Sequence, residues 1–341
     1  MNRQQNFLLG VGAGVAATVA LGRLARTRHS IDFAGRCVVI TGGSRGLGLV
    51  LARQLAAEGA RLCLIGRDEA GLTRARAQLV SKGARDVMTV RCDIRRRADV
   101  RIAMDRIFGE WPAVDVLINN AGVIQVGPLE HMTHEDFENA MATHFWGPLH
   151  LIQEIVPSMR RRAFGRIVNI VSIGGRIAVP HLAPYSASKF ALAGLSDGVR
   201  AELNQYGIRV TTVSPGLMRT GSPPNAEVKG QHEAEYAWFA ISDSTPGLSI
   251  SAERAARKII DACRHGDPEL TITAPARLAV MANAVAPAAL ARVMMLVARL
   301  LPAPSTSDGD RSKPGRQSRS RWAPSLATAL TDRAAASNNQ L

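Results

Sequence analysis

The sequence predicts an α/β fold built on a doubly wound parallel sheet. Strand-like runs alternate with helical patterns through the middle of the 341-residue chain, without an intervening linker. Most of these runs are apolar on both faces, as is typical of parallel strands covered by helices on each side. The predicted strands are 37–41, 61–65, 87–90, 114–119, 166–171, 208–213 and 270–273. The predicted helices are 47–58, 68–82, 96–110, 134–161, 184–206 and 251–264, the last with Ser251 as N-cap and Gly266 as its stop.

The chain divides into four predicted segments: a hydrophobic N-terminal segment (1–30), one folded domain (31–274), an amphipathic helical extension (275–303) and a disordered tail (304–341). No charge interrupts residues 4–22. This stretch is a membrane anchor, a secretory signal peptide or a leader packed on the domain. The anchor is favoured, and the arginines that follow it place the domain on the cytoplasmic face. The extension lies on a membrane, covers a hydrophobic substrate mouth, or packs on its own domain or a partner subunit.

Composition argues against nucleic acid as a partner. The formal net charge is +14, but aromatic residues make up only 4% and the basic residues are scattered over many helices. Anionic small molecules or an anionic membrane surface suit this distribution better. The four cysteines show neither metal-ligand spacing nor a disulfide framework, so no metal site is predicted and a reducing compartment is indicated.

The stretch TGGSRGLG (41–48) stands where the first strand turns into a helix. Gly42 and Gly46 allow a tight turn that brings backbone close to a phosphate, and Gly48 lets the helix pack closely. The helix N-terminus adds free amides and a positive dipole end. Ser44 and Leu47 are predicted to belong to the same cofactor-binding loop. Alone, this glycine spacing is a weak signal.

The end of the second predicted strand favours NADP over NAD. An acidic residue there would bind the ribose 2′-hydroxyl of NAD, whereas an arginine accommodates the 2′-phosphate of NADP. Here Gly66 and Arg67 follow the strand, and Arg45 in the glycine loop is predicted to point toward the same pocket. Alternatively, Arg67 is a solvated residue at the start of a helix.

Further cofactor contacts are predicted after the third and fourth strands. Asp93 is placed to bond the adenine amino group, with Ile94 packed on the ring. The tetrad NNAG (119–122) puts small residues where backbone passes close to a ligand. Its Asn119 is expected to tie adjacent loops together, and the predicted cofactor contacts are Asn120, Ala121 and Gly122.

Tyr185 and Lys189 stand at i and i+4, on one face of a helix. A protonated lysine beside a phenol lowers the tyrosine pKa and makes the phenol a usable general acid or base. Ser172 ends the fifth predicted strand and is expected to face the same cleft, where its hydroxyl would bind a substrate carbonyl oxygen.

Taken together, TGGSRGLG, NNAG, a serine thirteen residues before YSASK, and SPG after the sixth strand resemble the short-chain dehydrogenase/reductase family, over about residues 33 to 273. The resemblance implies a Rossmann-like seven-stranded sheet, NADP(H) as cofactor and a homo-oligomer. It also implies that Tyr185 transfers the proton, Ser172 orients the carbonyl and Lys189 holds the nicotinamide ribose. Pro215, Gly216 and Thr220 would contact the nicotinamide end.

One position departs from the family pattern. Where the family usually has an asparagine that helps hold a proton-relay water, this chain has His144, in THFWG. The histidine either supports the relay, with an altered pH dependence because it titrates near neutrality, or only fills space.

The segment between Thr220 and Ser251 is the substrate lid in this family. Tyr236, Trp238 and Phe239 give it aromatic surface, which favours a lipophilic substrate. The predicted function is an NADP(H)-dependent oxidoreductase that interconverts a ketone and a secondary alcohol. The alternative is a cofactor-binding scaffold or sensor without turnover.

Overall fold

The computed structural model describes residue 26, residues 29–305 and residues 308–340. The predicted N-terminal anchor lies outside these residues. Within the described part of the chain, no helix combines the length and apolar character needed to cross a bilayer.

A seven-stranded, entirely parallel sheet forms the centre of the fold, as predicted from the sequence. The strands are Cys37–Thr41 (β1), Arg61–Gly66 (β2), Val87–Arg91 (β3), Val116–Asn119 (β4), Gly165–Ile170 (β5), Ile208–Pro215 (β6) and Glu269–Ile272 (β7). Their spatial order is β7-β6-β5-β4-β1-β2-β3. Because β1 lies between β2 and β4, the chain reverses its direction across the sheet beside β1, and ligands of such sheets bind at this switch point.

Helices cover both faces of the sheet, and the predicted helix bounds differ from the observed ones by at most three residues. The helices are Gly46–Ala57 (α1), Glu69–Ser81 (α2), Arg97–Glu110 (α3), His134–Met141 (α4), Gly147–Arg161 (α5), Ala183–Leu203 (α6), His232–Ser244 (α7), Ala252–His265 (α8), Ala274–Val285 (α9), Pro287–Ala298 (α10) and Ala329–Ser337 (α11). The predicted helix 134–161 is interrupted by a π-helical turn at Ala142–Trp146. Ser251 caps α8 by accepting a hydrogen bond from the Arg254 amide, and Gly266 ends it at φ +68°, as expected.

Two apolar layers hold the sheet, one on each face. Side chains of α1, α2 and α8 pack on one face, and side chains of α3, α5 and α6 pack on the other. Leu62 and Leu64 of β2 belong to the first layer, whereas Cys63 and Ile65 belong to the second. This alternation within one strand explains why the strands read as continuous apolar runs, since both faces are buried.

The helices α9 and α10 leave large apolar side chains uncovered. No residue of α10 is buried. Val285 is 86% exposed, and Leu300, just beyond α10, is 85% exposed. Among the described residues, therefore, most of this extension is not packed on its own domain, which was one of the alternatives left open by the sequence.

The tail from residue 304 onward was predicted to be disordered, and the structure differs. Residues 308–340 lie against the domain. Lys313–Pro314 pairs antiparallel with Glu227–Val228, which in turn pairs with Gln125–Val126. Helix α11 packs on α7. The tail is held by backbone and side-chain hydrogen bonds and by isolated small buried residues such as Ala323 and Ala335, which give no apolar periodicity in the sequence.

Candidate active site

A cavity of about 590 Å³ opens at the carboxyl ends of the sheet strands. It runs from Asp93 and Ile94 at one end to Ser172 and Tyr185 at the other. Of the predicted catalytic, relay and cofactor-binding residues, all except Gly48 line this cavity. Those lining the cavity are Gly42, Ser44, Arg45, Gly46, Leu47, Arg67, Asp93, Ile94, Asn120, Ala121, Gly122, His144, Ser172, Tyr185, Lys189, Pro215, Gly216 and Thr220.

The glycine loop has a backbone shape that side chains would prevent. Gly42 and Gly46 adopt φ of +64° and +56°, in the left-handed region that favours glycine. A β-carbon on Gly48 would lie 2.2 Å from the Gly42 carbonyl oxygen. Gly48 therefore supports the loop from outside the cavity, which explains why it does not line it.

The NNAG tetrad is tied to this loop by hydrogen bonds. The Thr41 hydroxyl accepts bonds from the amides of Asn120 and Ala121, both at 2.9 Å. The Asn120 side-chain amide donates to the Thr41 carbonyl at 2.9 Å. Asn119 donates to Asn169 on the neighbouring strand at 2.8 Å, so it ties adjacent segments together as predicted.

Two arginines stand at the glycine-loop end of the cavity. Burial, followed by the neighbouring charge of Arg67, lowers the pKa of Arg45, which places the two cations close together. Arg45 donates to Asn225 at 2.8 Å. Among the described residues no carboxylate forms an ion pair with either arginine, and such a pair of cations fits an anionic ligand.

Asp93 is already engaged by a neighbour. Its carboxylate accepts hydrogen bonds from the Arg95 guanidinium, the shortest at 2.6 Å. Although burial opposes this, the bonds to Arg95 lower the pKa of Asp93. Asp93 still lines the cavity, but any bond from its carboxylate to an adenine amino group has to share it with Arg95.

Ser172, Tyr185 and Lys189 meet at the other end of the cavity. Ser172 accepts a bond from the Gly174 amide at 3.0 Å, and Gly174 leaves room for the Tyr185 ring, since a β-carbon there would lie 3.1 Å from it. Lys189 donates from Nζ to the Ile170 carbonyl at 2.8 Å, and this nitrogen lies 5.7 Å from the centre of the Tyr185 ring.

The electrostatics of this group differ from the sequence-based expectation. Burial lowers the pKa of Lys189 to about 7. Burial also raises the pKa of Tyr185, although a hydrogen bond with Ser172 partly offsets this. In the protein alone, therefore, the pKa of Tyr185 is raised and not lowered as expected, because desolvation is the largest effect on the phenol.

His144 is fully buried and both of its ring nitrogens are bonded. Nε2 accepts a hydrogen bond from the Val123 amide at 3.2 Å, so Nδ1 carries the proton and donates to the Ser188 hydroxyl at 2.7 Å. Ser188 in turn donates to the Tyr185 carbonyl at 2.8 Å. Burial and then the charge of Lys189 hold the pKa of His144 well below its usual range. It is therefore neutral at physiological pH, and it connects the loop after NNAG to the helix of Tyr185.

The lid aromatics divide between two places. Trp238 and Phe239 line the cavity, as predicted. Tyr236 does not: it is 1% exposed and packs with Val228 and Ala323 under the tail. The prediction that Tyr236 belongs to the pocket surface was wrong, because the docked tail covers it.

Asp243 is a lining residue that sequence reasoning missed. It lies on the lid helix α7 and accepts a hydrogen bond from the Met218 amide at 3.2 Å. Its second carboxylate oxygen is buried without a hydrogen-bond partner among the described residues. Burial raises the pKa of Asp243 to about 7, and its charge in turn raises the pKa of Tyr185. No motif marks this position, so the sequence offered no signal.

Comparisons with known proteins agree with this geometry. The family model described as short chain dehydrogenase matches residues 36–229. The chain is 34% identical over 268 residues to dehydrogenase/reductase SDR family member 7B of Bos taurus, which covers 77% of this chain and 81% of that protein. It is 36% identical over 203 residues to the 3-ketodihydrosphingosine reductase of Bacteroides thetaiotaomicron, covering 59% of this chain and 71% of that one.

Solved structures show the same fold. A short-chain dehydrogenase from Streptomyces avermitilis is 26% identical, with a TM-score of 0.67 over 79% of this chain and 99% of that one. A metagenomic short-chain oxidoreductase in complex with NADP is 33% identical, with a TM-score of 0.52 over 55% of this chain and 84% of the other.

Replacing His144 with Asn is expected to leave the pH profile of turnover between pH 6 and 9 unchanged, because the buried histidine is neutral throughout this range. The measurement is kcat against pH for the wild-type protein and the variant. H144A, which removes both hydrogen bonds, serves as the control and is expected to melt at a lower temperature than H144N. A profile that shifts in H144N alone would contradict a purely positioning role.

Replacing Asp243 with Asn is expected to stabilise the protein more at pH 8 than at pH 5. The carboxyl has a folded pKa of about 7 against an ordinary value of 3.8, so its favourable contribution is present at low pH and lost as the pH rises through 7. The measurement is the melting temperature of both proteins without ligand at the two pH values. Asn at the exposed Asp105 supplies the control, and an equal shift in melting temperature at both pH values for D243N would contradict the prediction.

Proposed function

The chain belongs to the short-chain dehydrogenase/reductase family, and on that premise we propose that it is an NADP(H)-dependent oxidoreductase that interconverts a ketone and a secondary alcohol. The observation that carries the proposal is the meeting of Ser172, Tyr185 and Lys189 at one end of a cavity whose other end is the glycine loop. A scaffold that only binds a cofactor has no need of all three groups.

The residues of the cavity fit the phosphate groups of NADP(H). The loop around Gly42 and Gly46 exposes backbone at positive φ, and the first turn of α1 offers amides that have no partner within the helix. Arg45 and Arg67 are two adjacent cations, as a 2′-phosphate requires. The NADP complex of the metagenomic relative supports the same choice of cofactor.

Ser172 and Tyr185 would hold the reacting oxygen from two sides. The Tyr185 hydroxyl gives its proton to the carbonyl oxygen in reduction and receives it back in oxidation, while Ser172 fixes the position of that oxygen. When bound, the nicotinamide supplies or accepts the hydride. Lys189 would bond the ribose next to it, and acceptors added around Nζ would favour the ammonium form that burial disfavours. The charged lysine then lowers the barrier to proton transfer by Tyr185.

The substrate we propose is lipophilic. The substrate end of the cavity carries Trp238 and Phe239 from the lid, and other apolar side chains surround them; these are Ile124, Val179, Leu182, Leu217 and Met218. Apolar walls with few polar groups bind a ligand through buried area rather than through many hydrogen bonds. The similarity to a 3-ketodihydrosphingosine reductase, whose name denotes a long-chain ketone, supports this substrate class.

Replacing Tyr185 with Phe is expected to lower the turnover of ketones by about 100-fold or more, the usual contribution of a general acid. The measurement is oxidation of NADPH with a panel that runs from short polar ketones to long-chain ketones. Y236F is the matched control, since Tyr236 lies outside the cavity, and it should keep full activity. Equal activity in Y185F and wild type would overturn the mechanism, and turnover of small polar substrates alone would overturn the lipophilic class.

Replacing Arg45 and Arg67 together with Ala is expected to weaken NADPH binding by about 100-fold while changing NADH binding little, because only NADPH carries the 2′-phosphate. The measurement is the dissociation constant of each cofactor by fluorescence titration. R74A is the control, because Arg74 is exposed on α2, the helix that follows Arg67 in the chain, and does not line the cavity. An equal loss for both cofactors would contradict the proposed role of the two arginines.

A further inference from the structure

The C-terminal segment, residues 329–340, reaches the glycine loop and enters the cavity wall. Helix α11 packs on the lid, where the Thr331 amide donates to the Ser244 hydroxyl at 3.3 Å. Gly221 makes room for it: a β-carbon there would lie 2.3 Å from the Ala335 α-carbon. After α11 the chain continues across the mouth of the glycine loop, and Gln340 is one of the residues that line the cavity.

Hydrogen bonds fix this crossing on both sides. The buried Asn338 accepts from the Gly46 amide through its backbone carbonyl at 2.8 Å, and its side chain accepts from Arg53 at 2.9 Å. On the opposite side, Asn225 donates to the Gln340 backbone carbonyl at 2.7 Å and to its side-chain oxygen at 2.9 Å. The same Asn225 accepts a hydrogen bond from Arg45, so the segment is connected to one of the two arginines proposed to bind the 2′-phosphate.

The side-chain amide of Gln340 has donors left over. Its oxygen is occupied by Asn225, whereas no described residue accepts a hydrogen bond from Nε2. This nitrogen lies over Gly46, where a β-carbon would be only 2.3 Å away. A side-chain amide provides two N–H donors, and phosphate oxygens are strong acceptors.

The segment forms a wall of the cavity and does not divide it. One continuous cavity extends from Ile94, past Gln340, to Tyr185. The Gly46 amide is bonded to Asn338, but no described residue accepts a bond from the next amide of the helix, that of Leu47. Space and donors for a diphosphate therefore remain at the loop while the segment is in place.

We propose that residues 338–340 complete the cofactor site, with the Gln340 amide as a binding group for the cofactor diphosphate. This inference rests on the proposed dinucleotide-dependent function and adds a binding residue that the glycine loop and the arginines do not supply. The segment closes the outer side of the cleft, so it slows cofactor release as well as strengthening binding.

The test measures NADPH binding to the full chain and its variants by fluorescence titration, and NADPH release by stopped flow. Replacing Gln340 with Ala removes the side-chain amide and keeps the backbone bond to Asn225, so we expect roughly fivefold weaker binding and faster release. Replacing Gln340 with Glu places a carboxylate toward the diphosphate, and we expect weaker binding still. Deletion of residues 338–341 is expected to exceed Q340A in both effects.

The controls separate binding from folding. The melting temperature without cofactor should be unchanged in Q340A, and Q205A, at an exposed position on another surface, should bind NADPH as the wild type does. Unchanged binding in Q340A, Q340E and the deletion would overturn the inference while leaving the proposed function intact. Tighter binding on deletion would overturn it too, because the segment would then obstruct the cofactor. Failure of the full chain itself to bind NADPH or NADH would overturn the proposed function.

Discussion

The whole cofactor end of the molecule depends on backbone contacts too close to admit a β-carbon. A β-carbon on Gly48 would come within 2.2 Å of the Gly42 carbonyl oxygen, and one on Gly42 would come within 3.0 Å of the Ala121 α-carbon. These approaches lock β1, α1 and the loop after β4 into one unit, which Asn120 fastens with its side-chain amide. Because the same absence of side chains leaves room for Gln340 over Gly46, the loop sets the position of the C-terminal segment as well.

At the other end of the cavity, desolvation is the larger electrostatic effect. Burial favours the neutral forms of both Lys189 and Tyr185, and the hydrogen bond with Ser172 only partly offsets its effect on the tyrosine. Among the described residues, the Ile170 carbonyl is the one acceptor bonded to the lysine. We infer that activation of Tyr185 is coupled to ligand binding, since new acceptors around Nζ would favour the charged lysine. A histidine that stays neutral nearby adds no competing charge to this group.

The sequence predicted the sheet because burial on both faces leaves a pattern of continuous apolar runs in each strand. It predicted Ser172, Tyr185 and Lys189 because strand ends and i, i+4 spacing determine where such side chains point. It did not predict the docking of residues 308–340, whose contacts are hydrogen bonds from residues such as Asn338 and the packing of isolated small residues such as Ala323. Nor did it predict Asp243, a single carboxylate without a motif, whose pKa is raised by burial against the opposing effects of the Met218 hydrogen bond and the Arg219 charge. Features that depend on contacts between residues far apart in the sequence, and that have no periodicity, cannot be predicted from a local sequence pattern.

Those distant contacts also bear on how the cavity opens. The lid helix α7 carries Trp238 into the cavity on one side and packs against α11 on the other, and Ser244 at its end accepts a bond from Thr331. Moving the lid away from the cavity therefore either breaks its contacts with α11 or carries α11 along. Since residues 338–340 continue directly from α11, a movement that carries α11 along would also pull Gln340 from the glycine loop. We infer that opening of the substrate end and loosening of the cofactor end are coupled through α11 when its contacts with α7 are kept.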